Sequence, residues 1–433
     1  MPVAKKVVGK TVSQKEPAPE KDITLYAQFV GEEKIEELLR LGEELRGVRL
    51  QQVNSARVGG GVAEMLQSVV PLERALGLDV SWKVVTGTRD FFAFTKTLHN
   101  FLQGRLGAPD ILGSKVYWDT NRRNYKLIDE QADVVLIHDP QPAGLVTYAP
   151  PDVRERQKWI WRCHIQIDTE LCLMMDYLRP LIELYDAAVF SSFRFTPRWR
   201  ITPFVILPYI DPLSDKNRQL SAREVRAVLD KYGIEDLDRK PLITLVSRFD
   251  PFKGHTYALD AFKEVRRVIP CQLLFVGGTA SDDPENLVIF EELSERVKGV
   301  PDVHLLNLPA DSHLEINAFQ WASSIILQPS LKEGFGLTVT EGMWKGKPVV
   351  GGNVGGIPSQ IADGYNGFLV TPGEKGVSEM AERILHLLLH PTLAEVIGQR
   401  ARESVRDRFL ITRGIWDELM LVKSVLKNHL QRI

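Results

Sequence analysis

Cysteine is nearly absent: Cys163, Cys172 and Cys271 are scattered through 433 residues with neither paired nor metal-like spacing. A disulfide framework is therefore excluded as the organising principle, and a reducing compartment fits. No run approaches the ~18 apolar residues that a spanning helix needs, and the first residues lack the apolar stretch of a leader. The expectation is a cytoplasmic protein with no membrane partner. Net charge is missing too, since 54 basic and 56 acidic side chains leave a formal charge of −2. That offers no basic field for nucleic acid. There is no G-x-G-x-x-G at a strand end, which disfavours a nicotinamide or flavin cofactor. The one Asp-x-Asp, Asp236-Leu-Asp238, lies in a charged turn and reads as solvated surface, so a divalent metal is not implied.

An apolar content of 44% with 25% charged residues is that of a soluble globular protein, and the length calls for two or three domains. Residues 1–22, rich in Lys, Glu and Pro, read as a flexible tail. Beyond them, apolar strand-like runs alternate with amphipathic helical stretches. The runs are Val48–Val53, Val80–Val85, Val134–Ile137, Trp159–Cys163 and Ala187–Phe190, then Leu242–Val246, Leu273–Val276, Val303–Leu306, Ile325–Leu327, Pro348–Val350 and Gly367–Val370. This alternation predicts an α/β fold with two Rossmann-like doubly wound domains facing a cleft. The proline-punctuated segment Leu207–Pro212 is the expected hinge between an N-terminal domain over 23–211 and a C-terminal domain over 212–405. Residues 406–433 form a last helical stretch, long enough to pack back on the N-terminal domain. A homodimer is compatible with this organisation.

Chemistry concentrates at the strand ends. Glu333-Gly-Phe-Gly-Leu-Thr-Val-Thr-Glu341 sets two carboxylates eight positions apart around a Gly-Phe-Gly turn. It lies between the run ending at Gln328 and a helical stretch, Leu337 to Trp344, that is closed by Gly346 and Pro348. Amides left free where a strand turns into a helix hold phosphate, so the segment reads as a nucleotide-sugar site. An ordinary tight connection would also need glycine; agreement with the surrounding segments favours the site. Ser247-Arg-Phe-Asp-Pro-Phe-Lys-Gly254 places Arg248 and Lys253 five apart across a turn. Two such cations suit a diphosphate and the charge on a leaving group, although alone they would read as solvated surface. Gly59, Gly60 and Gly61 lie between a strand and a helix and fit either close approach of backbone to a ligand or a plain tight turn. His138-Asp-Pro-Gln-Pro142 ends one strand and His164 another. His164 and Asp139 could hold acceptor hydroxyls or shuttle a proton, or serve as structural hydrogen-bonding groups. Trp159 and Trp161 read as core and cleft wall.

Together these residues resemble the retaining glycosyltransferases of family four, which have the two-Rossmann-domain GT-B fold. The resemblance runs from roughly residue 45 onward and is sharpest in Ser247–Gly254, Gln328–Leu337, Glu341–Pro348, Gly355–Pro358 and Asp363–Leu369. Within that family, Ser55–Gly61, His138–Pro142 and Trp161–His164 look like the trehalose-forming synthases. These move glucose from a nucleoside diphosphate glucose, such as UDP-glucose or ADP-glucose, to free glucose. The resemblance implies a nucleotide-sugar donor and a glucose acceptor as substrates and no tightly bound cofactor. It implies that Arg248 and Lys253 bind the donor diphosphate and that Glu341 holds the ribose hydroxyls. Gly334, Phe335, Gly336 and Leu337 would meet donor sugar and phosphate through backbone amides. Glu333 would sit by the transferred glucose, with His164 and Asp139 on the sugar side and Gly59 to Gly61 near the phosphate. Gly342 and Ser359 depart from the family pattern of an alanine and an acid. Retention needs either a covalent glycosyl carboxylate or same-face departure and attack. The second is favoured here, because it explains the Arg/Lys pair and no second acid/base carboxylate is evident. The alternatives are a trehalose phosphorylase using glucose 1-phosphate, a relative such as a sucrose synthase with another acceptor, and a non-catalytic nucleotide-sugar-binding protein.

Overall fold

The computed structural model describes residues 21–57, 61–104, 110–167, 174–278, 284–309 and 311–427. Gly59, Gly60, Cys172 and residues 1–20 of the tail lie outside the described residues.

Runs of Val, Ile and Leu that are apolar at every position, not every second one, belong in sheets covered on both faces. Here they form two. Strands β1 (Arg49–Asn54), β2 (Asp79–Val84), β3 (Val134–His138), β4 (Lys158–Cys163), β5 (Ala187–Phe190) and β6 (Pro203–Val205) lie in the order β2-β1-β3-β4-β5-β6. Every neighbouring pair is parallel. Strands β7 (Leu242–Val246), β8 (Gln272–Gly277), β9 (Val303–Asn307), β10 (Ile325–Gln328), β11 (Val349–Gly352) and β12 (Phe368–Val370) repeat the scheme as β12-β11-β10-β7-β8-β9, again all parallel. This is the doubly wound pair of sheets that the alternation predicts. Within β3 the two faces separate cleanly: Val134 and Leu136 join one core, while Val135 and Ile137 join another with the fully buried Trp159 and Trp161. In each sheet the strand order reverses beside the first strand of its half, between β1 and β3 and between β7 and β10. Crevices open at such reversals, at the C-terminal strand ends.

The two halves are joined twice. Ile210 in the proline-punctuated segment pairs with Leu410: the Ile210 amide donates to the Phe409 carbonyl at 2.9 Å, and the Ile411 amide donates to the Ile210 carbonyl at 2.9 Å. Outward and return crossings therefore run side by side. The helix Pro391–Arg408 buries Ala401 and Val405 with Val339 and Val349 of the second half. The helix Ile411–Leu426 then buries Ile415, Leu419 and Val422 against Leu50, Leu66 and Val134 of the first.

Two elements carry no apolar signature in the sequence. The edge strand β6 has three residues and opens on Pro203. The helix Ile111–Asn124 buries Tyr117, Thr120, Asn121 and Asn124, so its inner face is polar and invisible to a search for apolar periodicity. Its start is set by Asp110, whose carboxylate accepts from the Gly113 amide at 2.9 Å.

Because Leu419 is fully buried in the first core, Leu419→Ala should cost about 2–5 kcal/mol of unfolding free energy. Denaturant titration followed by tryptophan fluorescence measures this. An unchanged midpoint would show that the returning helix does not belong to that core.

Candidate active site

In the second half the site is built where β7 and β10 end. Asp250 accepts from the Phe252 amide at 2.8 Å and so opens the short turn Pro251–Lys253. Gly254 closes it at φ 73°, with its Cα so close to Pro329 that an added Cβ would overlap the proline carbonyl. The Leu331 amide donates to the Phe252 carbonyl at 2.7 Å. These contacts zip the loop after β7 to the loop after β10, and they bring Lys253 Nζ to 2.8 Å from Glu333 Oε2. The same oxygen accepts from Gln328 Nε2 and Ser330 Oγ, each at 3.1 Å. A third loop closes on the turn from behind: Gly355, at φ 56°, lies against the Glu333 carbonyl with no room for a Cβ, and the Gly356 amide donates to the Gly334 carbonyl at 2.9 Å. Phe335 turns inward and packs edge-on against Phe409. Gly336 precedes the helix Leu337–Trp344, whose first turn has no side-chain cap; the Val339 amide donates to the Gly336 carbonyl at 2.9 Å, and those of Leu337 and Thr338 stay available to an anion.

Glu341 stands apart from that cluster. Its side chain is almost fully buried, with Oε1 3.1 Å from Lys216 Nζ and Oε2 accepting from Gln320 Nε2 at 3.3 Å. Lys216 also lies 3.6 Å from Glu64, which belongs to the helix Gly61–Ala75 of the first half. Burial opposes its ammonium, but the Glu341 and Glu64 carboxylates outweigh burial and raise its pKa. Lys345 is buried beneath, donating to the Lys216 carbonyl at 3.0 Å, and burial pulls it down to about 7. Arg248 is more than half exposed and lies 3.9 Å from Asp250. Its charge reaches the helix Arg89–Leu102, where burial, Lys96 and then Arg248 hold His99 down at about 4.

In the first half the corresponding place is the end of β3 and β4. Asp139 follows β3 at φ 64° and accepts from the His164 amide at 2.8 Å. Burial pushes its carboxyl up to about 7, against that hydrogen bond and the Arg162 charge. The His138 and His164 rings lie nearly parallel (19°) and meet edge to edge, with Nδ1 of the first 2.9 Å from Nε2 of the second. The two halves meet across this wall. A Cβ placed on Gly334 would be 4.0 Å from the His164 carbonyl and the Gln166 amide, and one on Gly61 would be 3.8 Å from the Leu337 side chain.

The fold thus joins Glu333 to Lys253 and His164 to Asp139, and it sets Gly334 against His164 and Gly61 against Leu337. It leaves Glu341 in a separate buried niche and Arg248 at the rim. Sequence reading missed Lys216, Gln320 and Glu64. Lys216 sits in a polar linker whose composition says only that it is solvated, and no spacing connects it to Glu341. Gln52, which contacts His138, and Glu418 behind it were missed as well; β1 is polar at Arg49, Gln51, Gln52 and Asn54, so Gln52 does not stand out by pattern. Among the described residues no cluster of acidic, His or Cys side chains could hold a metal ion, and no helix is long and apolar enough to cross a membrane.

Residues 52–197 match the family described as "Trehalose synthase, N-terminal domain", and residues 233–404 match "Glycosyl transferases group 1". The chain is 42% identical to a trehalose synthase of Pyrococcus horikoshii over 92% of its own length and 95% of that protein's. It is 29% identical to a trehalose phosphorylase of Pleurotus pulmonarius over 89% of its own length and 58% of that protein's. The structure of an α,α-trehalose 6-phosphate synthase from Burkholderia multivorans superposes with a TM-score of 0.70 at 15% identity, covering 89% of this chain and all (100%) of that one. At that identity the likeness is one of fold.

The loop after β7 rests on His255, whose Nε2 lies 3.0 Å from Ser247 Oγ. Burial holds this imidazole down at about 4, with Asp250 opposing. Burial also depresses His138 and His164. A depressed histidine binds its proton more readily in the unfolded chain, so stability is present at neutral pH and lost as pH falls through about 6.5. Asp139, raised to about 7, works in the opposite direction over the same window, so the test is the difference between two proteins: between about pH 7 and pH 5, His255→Gln should lose less melting temperature than wild type. Equal changes in the two would contradict the assignment.

Proposed function

The chain belongs to the trehalose synthase family of glycosyltransferases, and on that footing we propose that it moves glucose from a nucleoside diphosphate glucose to free glucose with retention, forming trehalose. The observation that carries this reading is the Lys253–Glu333 contact at 2.8 Å on a turn whose Gly334 abuts the His164 backbone carbonyl of the first half. A sugar held there lies between a cation-bearing loop and an imidazole wall. In this reading Lys253 and Arg248 neutralise the donor diphosphate, and the amides at the start of the helix Leu337–Trp344 meet the phosphate. Glu341 takes the ribose hydroxyls, sharing or exchanging its Lys216 contact, and Gly59 to Gly61 border the phosphate from the first half. His164 and Asp139 line the sugar side.

The bond from the anomeric carbon to phosphate oxygen breaks. The acceptor hydroxyl adds to the anomeric carbon on the face just vacated, and its proton passes to the departing phosphate oxygen. Glu333 supports the positive charge that develops on the sugar. One oxygen of that carboxylate already receives three hydrogen bonds, including one from a lysine. This lowers its nucleophilicity and favours the same-face route over a covalent intermediate.

One observation favours a second reading. Lys216 alone already satisfies Glu341 Oε1, as it would in a trehalose phosphorylase with no ribose to bind. Incubation of the protein with UDP-glucose or ADP-glucose plus glucose should yield a 1,1-linked disaccharide and an equal amount of nucleoside diphosphate. Reaction only with glucose 1-phosphate, releasing phosphate, would establish the phosphorylase instead.

Two variants probe the roles. Glu333→Gln should lower kcat by on the order of 100-fold or more with little change in donor KM; a pure KM effect would contradict its place beside the transferred sugar. Lys253→Ala should weaken binding of the free nucleoside diphosphate by about 1.5–3 kcal/mol in calorimetry, and unaltered affinity would remove Lys253 from the diphosphate site.

A further inference from the structure

Gln52 is fully buried in the middle of β1, and its amide has a different kind of neighbour at each end. Nε2 donates to Glu418 Oε1 at 2.7 Å and lies 3.1 and 3.3 Å from the two oxygens of Glu73. Glu418 Oε2, in turn, is 2.6 Å from the Arg162 guanidinium, which also stacks over Tyr209. The Glu418 carboxylate can only accept, so the amide nitrogen of Gln52 must face it. That leaves Gln52 Oε1, an obligatory acceptor, 2.7 Å from His138 Nε2. His138 must then carry its proton on Nε2. Burial holds both imidazoles below their ordinary range, so each is neutral and has one N–H. With Nε2 protonated, His138 Nδ1 is an acceptor, and the ring nitrogen 2.9 Å from it, His164 Nε2, must be the donor. The proton of His164 is thereby drawn inward, and its Nδ1 keeps a lone pair on the opposite edge of the ring, in a partly exposed residue whose backbone carbonyl lies beside Gly334.

We propose that Glu418, Gln52 and His138 are positioning residues that hold His164 in its Nε2–H tautomer, so that Nδ1 accepts a hydrogen bond from a hydroxyl of the bound sugar. The role in turnover rests on the reading that His164 faces that sugar; the tautomer itself does not. The relay also gives the returning helix Ile411–Leu426 a task beyond packing, because Glu418 is its contribution to the far end of the chain of hydrogen bonds.

The argument runs backwards under one isosteric change. In Glu418→Gln the new amide keeps its oxygen toward Arg162 and turns its NH2 toward Gln52. Gln52 then presents Oε1 to it and to Glu73, whose carboxyl, raised by burial and, in wild type, then by Glu418, can donate to that oxygen, and the Gln52 nitrogen donates to His138 Nε2. His138 shifts its proton to Nδ1, and His164 shifts its own to Nδ1, becoming a donor where it was an acceptor. The test is nitrogen NMR of the full chain labelled with 15N-histidine, the His164 resonances being identified by their loss in His164→Gln. Wild type should show a protonated Nε2 and an imine-type Nδ1 on His164, and Glu418→Gln should exchange the two. The same variant should lose on the order of 100-fold in kcat with donor KM within about twofold. Gln52→Leu, which removes both ends of the amide, should give a mixture of tautomers on a folded chain and keeps the test open if Glu418→Gln does not fold. An Nδ1–H His164 in wild type, or an unmoved tautomer in both variants, would overturn the relay. Exchange of the tautomer with full turnover would leave the relay standing and overturn the placement of His164 at the sugar.

Discussion

Lys253 resting on Glu333 depends on three loops approaching one another more closely than most sequences permit. The loop after β7, at Gly254, and the segment at Gly355 each need a backbone without a side chain where they meet the loop after β10. A cation and a carboxylate that are both largely withdrawn from water cost desolvation, which their attraction offsets only with good geometry and further hydrogen bonds. Gln328 and Ser330 supply those bonds. The result is a fixed acid and a fixed base at the end of a rigid sheet, the preorganised pair that the proposed reading needs.

The first half contributes a different kind of surface. His138 is buried and His164 half-buried, burial holds both imidazoles well below their ordinary range, and their hydrogen-bond capacity is set by partners deeper in the core. Those partners come from three places in the chain: Gln52 from the first strand, Glu73 from the helix that follows it, and Glu418 from the last helix. The two crossings at Ile210 and Leu410 hold that last helix against the first half while the rest of its segment remains with the second. Lys216, in the same linker, lies between Glu64 of one half and Glu341 of the other. In the proposed reading, a nucleotide at Glu341 would act on a contact that spans the two halves, and its binding would be linked to their relation.

What the chain discloses by local pattern is uneven. Strands β5 and β7 appear at their observed limits, because a short run that is apolar throughout, or at all positions but Thr244, has few other uses between polar turns. The Glu333 turn and the Ser247–Gly254 loop are legible because glycine, proline and charge at a strand end have a meaning independent of what lies opposite. The polar-faced helix Ile111–Asn124 is not legible: its buried Asn121 and Asn124 bond to carbonyls of Gln141 and Thr86, partners that no window around residue 120 contains. The roles assigned to Glu341 and Arg248 differ in the same way. Spacing makes them equivalent members of one constellation, yet one is sealed beneath Lys216 and the other is open to solvent.

By itself the sequence determined two parallel sheets, the loops that bear charge at their ends, and membership in a family of sugar-transferring enzymes. These follow from interactions a few residues long: alternation of strand and helix, glycine at turns, and acids and bases in fixed succession. Tertiary structure alone decided which charges meet, that Lys216 bridges the halves, and which nitrogen of His164 holds a proton. Those outcomes depend on contacts between residues as distant as Gln52 and Glu418, and electrostatic and hydrogen-bond energies depend on separation in space, to which order along the chain is blind.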